Sequence, residues 1–215
     1  MSIKLKHSGG NSVSLNPPTS APTSSEVAFK LPTSDGSAGQ ILTTDGSGNL
    51  SWKTPSKILQ VVSITKTDVS SISTSGDTFY NYDDASLKVT LTPSSASNKI
   101  LILGDICVSS HTNVERMFVR LNKNGSFITG AVGDADGNRA RSMTSQRQQH
   151  LNYPTFHSIS FLDTAGDTNS RYYNVAVAQD SGSGRNVQFN RSYNDNNSFS
   201  YARYSSTLTA MEIAA

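Results

Sequence analysis

The sequence predicts an all-β protein, on three observations. Ser, Thr and Asn make up roughly a third of the chain, well above ordinary usage, and these side chains compete with helical backbone bonds. From residue 57 onward, short runs alternate apolar and polar residues with period two. Clusters of Gly, Asn, Asp, Ser and Pro punctuate those runs at short intervals. Of the 215 residues, 35% are hydrophobic and only 16% charged, against about 25% charged in ordinary domains. So few charges exclude the charged-disordered class. A net charge of +2 and a pI near 8.6 are too mild to indicate nucleic acid.

The N-terminal quarter is thinly apolar. Ile3 and Leu5 alternate with Lys4 and Lys6, residues 7–11 turn, and Val13 and Leu15 alternate again, which reads as a hairpin. Residues 16–25 carry Pro17, Pro18 and Pro22 and read as an extended linker or arm. Val27, Phe29 and Leu31 alternate with Ala28 and Lys30, predicting one more short strand. Residues 40–44 form a strand, residues 45–48 (Asp-Gly-Ser-Gly) a turn, and residues 49–52 the return strand. A lone hairpin is marginal in water, so residues 1–55 are expected to become ordered on a partner or in an oligomer.

From residue 56 the pattern becomes that of a globular domain. Ile58, Val62 and Ile64 share one face of a strand, residues 79–82 are a short aromatic piece, and Leu87, Val89 and Leu91 alternate with Lys88, Thr90 and Thr92. After a turn at 93–98, residues 100–108 are almost continuously apolar and are expected to be buried on both faces. Met117, Val119 and Leu121 alternate with Arg116, Phe118 and Arg120, and residues 122–125 (Asn-Lys-Asn-Gly) predict a hairpin turn into Phe127 and Ile128. Residues 130–155 break the rhythm and read as a long loop with one short helix over 140–150. Strands resume at Ile159 and Phe161, at Tyr173, Val175 and Val177, at Val187 and Phe189, and at 206–213, with turns at 163–169 and 180–184. Eight or nine strands over about 160 residues imply a sandwich or barrel, and their number and length suit a jelly roll. The predicted organisation is an arm with short hairpins over 1–55 and an antiparallel β-sandwich over 56–215.

Residues 133–138 contain Asp134, Asp136 and Gly137, the start of a calcium loop, but its twelfth position is Ser145 where a Glu is needed, so a plain turn is the better reading. His7, His111, His150 and His157 have no zinc spacing. Cys107, the single cysteine, rules out an internal disulfide and reads as a small core residue. Gly182-Ser183-Gly184 lies in a turn and not at a nucleophile elbow, and the acids sit mainly in turns, so neither enzymatic activity nor a metal or cofactor is expected. Segment 138–161 is different: it has Arg139, Arg141 and Arg147, no acid, and His150, Tyr153, Phe156 and His157. Forked Arg donors and aromatic faces suit anionic or saccharide surfaces; contact with a neighbouring subunit and a solvated loop are the other two readings. Residues 193–204, with Tyr193 and Tyr201, form a second polar and aromatic rim. In the last strand, Met211 and Ile213 point one way and Leu208 and Ala210 the other, so both faces are expected to be covered or a bulge to switch them. Glu212 is expected near the strand end, within reach of water.

The segment from Leu31 to Trp52 resembles a recurring element of bacteriophage tail-fibre and virion-appendage proteins. The matching residues are Leu31, Pro32, Gly36, Gly39, Gln40, Leu42, Thr44, Asp45, Gly46, Gly48, Leu50 and Trp52. The opening eleven residues and the closing Met-Glu-Ile-Ala resemble marine phage structural proteins as well. The resemblance implies a virion protein, usually a homotrimer, with an N-terminal attachment part and a globular C-terminal tip. The expected function is a tail-fibre or receptor-binding subunit. Ile3, Leu5, Val27, Phe29, Leu31, Leu42, Leu50 and Trp52 would face other virion proteins, and the tip would face a host surface polysaccharide or lipopolysaccharide. Arg139, Arg141, Arg147, His150, Tyr153, Tyr193 and Tyr201 are the candidate receptor contacts, and Leu208, Ala210, Met211 and Ile213 the candidate trimer interface. A capsid-bound decoration protein or head fibre is the alternative, and a glycan-cleaving tip a further one. No apolar run approaches the ~20 residues of a membrane span, and no apolar segment follows Lys4 and Lys6 as in a secretory signal. The location that the resemblance implies is the virion, after synthesis in the host cytoplasm.

Overall fold

The structure, a computed structural model, describes residues 3–16, 18–24, 26–111, 116–180 and 185–215. It divides into two compact units, Met1–Ser56 and Lys57–Ala215.

In the first unit, β1 (Ile3–Lys6) and β2 (Ser12–Leu15) form a hairpin in which Ile3 faces Leu15 and Leu5 faces Val13, leaving one apolar face open to solvent. A second hairpin joins β3 (Ile41–Thr44) to β4 (Leu50–Lys53). Its turn is built locally: the Asp45 carboxylate accepts from the Ser47 and Asn49 amides and from Asn49 Nδ2, which holds its pKa below the ordinary carboxylate value. The expected strand over Val27, Phe29 and Leu31 does not form. Only Lys30 pairs, in parallel with Asn49, through Lys30 N to Gly48 O and Leu50 N to Lys30 O, both 2.8 Å. Pro32, two residues on, has no amide hydrogen with which to continue the pairing along β4. Trp52 Nε1 donates to Ser34 O, and Gly36 lies against the indole, where a Cβ would come within 2.6 Å of the ring.

Gly48 has φ +88, and a Cβ there would approach Ala28 O to 2.6 Å. Gly48→Ala should therefore loosen this unit by about 1 kcal/mol or more. Trp52 is the only tryptophan, so its fluorescence reports on this unit: the variant should show a red-shifted emission, while the far-UV circular dichroism melt of the second unit stays unchanged. A coupled loss of both signals would show that the two units unfold as one.

The second unit is an all-β, jelly-roll-like sandwich of two six-stranded sheets. Its strands are β5 (Ile58–Lys66), β6 (Ser70–Thr74), β7 (Tyr80–Tyr82), β8 (Val89–Leu91), β9 (Lys99–Ser109), β10 (Arg116–Lys123), β11 (Ser126–Phe127), β12 (Thr144–Arg147), β13 (Thr155–Thr164), β14 (Arg171–Gln179), β15 (Arg185–Phe189) and β16 (Ser206–Ile213). All their pairings are antiparallel. In the first sheet β13 pairs with one edge of β9. β16 and β15 follow each other along the other edge and are flanked by β5 and β6 respectively. In the second sheet β10 and β14 are central, with β12 and β11 along the free edge of β10 and β7 and β8 along that of β14. Between the sheets lie Leu87, Val89, Leu91, Ile100, Ile102, Ile106, Met117, Val119, Leu121, Val175, Val177, Phe189 and Leu208, all buried, with Tyr82 stacked on Phe189 at 4.0 Å between centroids.

Several expectations are corrected. The helix over 140–150 is replaced by β12, because β10 would otherwise leave an unpaired edge beside it. Strand β9 is covered on both faces only from Ile106 to Ser109; before that Leu103 and Asp105 face solvent. The strand closed on both faces is β14. No bulge switches the faces of β16 midway: Ser206, Leu208, Ala210 and Glu212 all point inward, and Thr207, Thr209, Met211 and Ile213 point outward. Leu208 and Ala210 therefore belong to the core of the chain itself and not to a surface between subunits. Glu212 is also buried, accepting from Ser94 N, Ser94 Oγ, Asn98 Nδ2 and Gln60 Nε2 at 2.6–2.8 Å. His157 is a core residue of β13 and not part of a loop. Of the expected turn at 180–184, residues 181–184 lie outside the described residues.

Candidate functional site

The register fixes the two ends of the sandwich. Lys99 pairs with Thr164 and Ile213, and Ala214 N donates to Lys57 O, so the chain enters the sandwich at that end. At the other end are Ser109, Thr155, Arg116, Arg147 and Gln179. Here the loops 148–154 and 190–205 meet. Tyr193 N and Asn194 N donate to Leu151 O at 3.0 and 3.4 Å, and Asn194 Nδ2 donates to Asn152 Oδ1 at 3.0 Å. His111 packs edge-on against Tyr193 at 4.7 Å, His150 lies 5.7 Å from Tyr153, and Phe156 meets Tyr204 at 5.4 Å. Tyr153 is 63% exposed. Asp195 ties the second loop together: it pairs with Arg191 at 2.9 Å and with Arg203 through two contacts. The Arg203 hydrogen bonds hold its pKa low, against the opposing effect of burial.

The rim stands on a buried polar chain. Ser110 N donates to Gln148 Oε1 at 2.6 Å, Ser110 Oγ to Gln179 Oε1 at 3.1 Å, and Gln179 Nε2 to Thr74 Oγ1 at 2.7 Å. These groups are buried and mutually satisfied, so they fix the loop bases without needing water. Beside them His157 sits between Thr144 Oγ1 on Nδ1 and Thr155 Oγ1 on Nε2, at 2.8 and 2.9 Å. Thr155 Oγ1 donates to Val108 O, so it accepts from Nε2–H and the imidazole is the Nε2-protonated tautomer. Burial pushes the His157 pKa down to about 4, which keeps the ring neutral at physiological pH. Burial likewise pushes the Cys107 thiol up to about 12, so it is an inert packing residue.

The structure thus brings His150, Tyr153 and Tyr193 together with His111, Asn152 and Asn194, which sequence reasoning did not single out. Arg147 stands exposed on β12, opposite Arg116. Tyr201 is half-buried in the second loop, its amide bonded to Ser198 O. Arg139 and Arg141 are elsewhere. Arg139 pairs with Asp136, and Arg141 donates to Gly133 O and lies over the Phe127 ring, on the outer face of the second sheet. Asp136 is therefore engaged with Arg139, and among the described residues no three His, Cys, Asp or Glu side chains converge as a metal site. In the first unit, Ile3, Leu5, Val27, Phe29, Leu31, Leu42 and Trp52 are exposed and Leu50 is half-buried.

No family model matches the chain, and no curated protein does. Among solved structures the chain is similar to infectious bursal disease virus of the Gx strain, at 10% identity and a TM-score of 0.38. It is also similar to a mutant VP2 protein of that virus in T=1 particles (11%, 0.34) and to the Gt strain (10%, 0.33). Each match covers 77% of this chain and 39%, 39% and 40% of the other chain respectively, so this chain spans about two fifths of their length.

What the rim offers chemically is a dense set of hydrogen-bond donors and acceptors from Asn, Tyr and His, set among aromatic faces. That combination matches a polyhydroxylated ligand better than a small apolar one, because each sugar hydroxyl needs a partner when it leaves water.

Proposed function

We propose that the chain is a virion structural protein, an appendage subunit whose first unit attaches to other virion proteins and whose sandwich contacts a host surface polysaccharide by its rim. The carrying observation is the meeting of loops 148–154 and 190–205 at the end of the sandwich opposite Lys57, where the chain enters. In this reading residues 1–56 are the anchor, and the rim is the end of the sandwich away from Lys57, the residue that follows them. The resemblance of Leu31 to Trp52 supports the attachment role, and the exposed Ile3, Leu5, Val27, Phe29 and Leu31 are its contacts.

The assembly in this reading is a homotrimer. Its interface is reassigned to the outer face of the first sheet, where Leu162, Leu101, Met211 and Val61 form one row across four paired strands, with Ile213 beside it. In this reading the tip binds without cleaving. Asp195, the carboxylate of loop 190–205, is neutralised by Arg191 and Arg203 and is poorly placed to act as an acid or nucleophile.

The test is adsorption. His150→Ala combined with Tyr153→Ala removes two solvent-facing rings and should weaken host-cell binding at least tenfold, with the melting temperature unchanged within about 2 °C. Unchanged adsorption would remove the rim from the binding role. Density on the capsid shell instead of the tail in a virion reconstruction would make the protein a decoration protein or head fibre.

A further inference from the structure

Outside the rim, unpaired polar chemistry concentrates on the outer face of the second sheet. Four buried side-chain atoms lack a hydrogen-bond partner among the described residues. Three of them, Arg120 Nε, Asn122 Oδ1 and Asn174 Oδ1, are on this face. Here β10 contributes Phe118, Arg120 and Asn122, opposite Ala178, Ala176 and Asn174 of β14. The two small alanines leave room above them, and the Arg120 guanidinium lies there between two rings, 4.0 Å from the Phe79 centroid and 4.6 Å from that of Phe127. Arg141 reaches the same Phe127 ring at 5.5 Å.

We propose that Arg120 and Arg141, framed by Phe79 and Phe127, form a site for an anionic sugar, one carrying a carboxylate or a phosphate. Two cations share this small area, and among the described residues no carboxylate pairs with either. Arg139, Arg171, Arg191 and Arg203 each have an aspartate. Burial and the neighbouring Arg141 charge both lower the Arg120 pKa, so the cation is held at a cost. A carboxylate or phosphate would relieve that cost by accepting forked donors from the two guanidiniums. Phe127, about one-third exposed, supplies a ring edge for the sugar body. The competing structural account makes the stack of Phe79, Arg120 and Phe127 a lid over Ala176 and Ala178, in which case the charge itself is dispensable.

The two accounts separate in an NMR titration of the full-length protein in phosphate-free buffer, read on the arginine Nε–H resonances. Glucuronate and glucose 6-phosphate are the charged probes, and glucose is the neutral one. The site predicts saturable shifts at Arg120 and Arg141 with either charged probe, none with glucose, and at least a tenfold loss of affinity in Arg120→Met. Methionine keeps the apolar bulk under the rings, so a folded variant is expected. Equal binding of glucose, or full binding by Arg120→Met, would overturn the proposal, as would shifts spread evenly over all arginines. If acetate and inorganic phosphate bind as tightly as the sugars, the anion assignment stands and the sugar assignment falls. A second variant, Arg141→Met, should lower affinity without altering the melt. The rim variant His150→Ala/Tyr153→Ala should bind these probes as the natural protein does, so failure here and failure of the rim reading are distinguishable.

Discussion

Leu208→Asp should abolish the folded sandwich. Leu208 lies on β16, a central strand hydrogen-bonded to β5 on one side and β9 on the other, and its side chain is fully buried in the core between the sheets. A carboxylate there has no cation to pair with among the core residues. Burying it, or deforming two sheets to hydrate it, costs several kcal/mol, a large part of the ~5–15 kcal/mol that holds an ordinary domain together. The expected result is loss of the cooperative far-UV melt. Met211→Asp, three residues along the same strand, is the contrast. Its side chain points out of the sheet, in register with Leu101 and Val61, so the variant should fold and melt within a few degrees of the natural protein. Under the trimer reading, its light-scattering mass should fall to that of one chain. A folded Leu208→Asp protein with an unchanged melt would contradict the inward orientation of β16. A Met211→Asp trimer would remove the outer row from the interface.

The inward set of β16 shows which part of this fold the sequence carries. Alternation along a strand says which residues share a face, and in Leu208, Ala210, Met211 and Ile213 that partition is correct. It does not say which face is the core, because both faces carry apolar residues. Tertiary pairing settles it: β9 and β5 lie in the plane of β16, and the second sheet covers only the Leu208 side. Where alternation was clean, as in Leu87, Val89 and Leu91, the other face was polar and the inward side was legible. Segment 140–150 was misread because Arg, Met and Gln are good helix formers, while the free edge of β10 that captures Thr144–Arg147 lies 25 or so residues earlier in the chain. Much the same holds for the rim. The polar and aromatic character of 148–154 and 193–204 was visible, but the bond between Asn194 and Asn152 and the packing of His111 on Tyr193 depend on loop geometry. The separation of Arg139 and Arg141 from Arg147 was equally hidden, since the chain turns into β12 between them.

Least legible of all were the buried polar groups, and one of them predicts the acid behaviour of the protein. Glu212 is inward-facing on β16 and almost completely buried. Burial pushes its pKa up, but the hydrogen bonds from Asn98, Gln60 and Ser94 outweigh that effect and hold it down to about 2, against an ordinary 4.5. Its partners lie on β5 and on the loop from 93 to 98, so one carboxylate on β16 ties both to the end of the sandwich where the chain enters. A group whose folded pKa is depressed stabilises the fold fully above its unfolded pKa, and that stabilisation is lost as pH falls through the folded pKa. Glu212→Gln keeps the size but turns an acceptor-only group into one that also presents an NH₂ to donors. It should therefore cost roughly 2–4 kcal/mol at pH 7. The difference between the natural protein and the variant should stay constant from pH 7 to about pH 5 and then narrow as pH falls from about 4.5 towards 2. The depressed carboxyls of Asp84 and Asp195 act in both proteins and cancel in the difference. Urea unfolding followed by far-UV circular dichroism at each pH reads that difference, free of the Trp52 signal from the first unit. A variant whose deficit stays constant down to pH 2.5 would show that the Glu212 carboxylate is not held ionised by Ser94, Asn98 and Gln60.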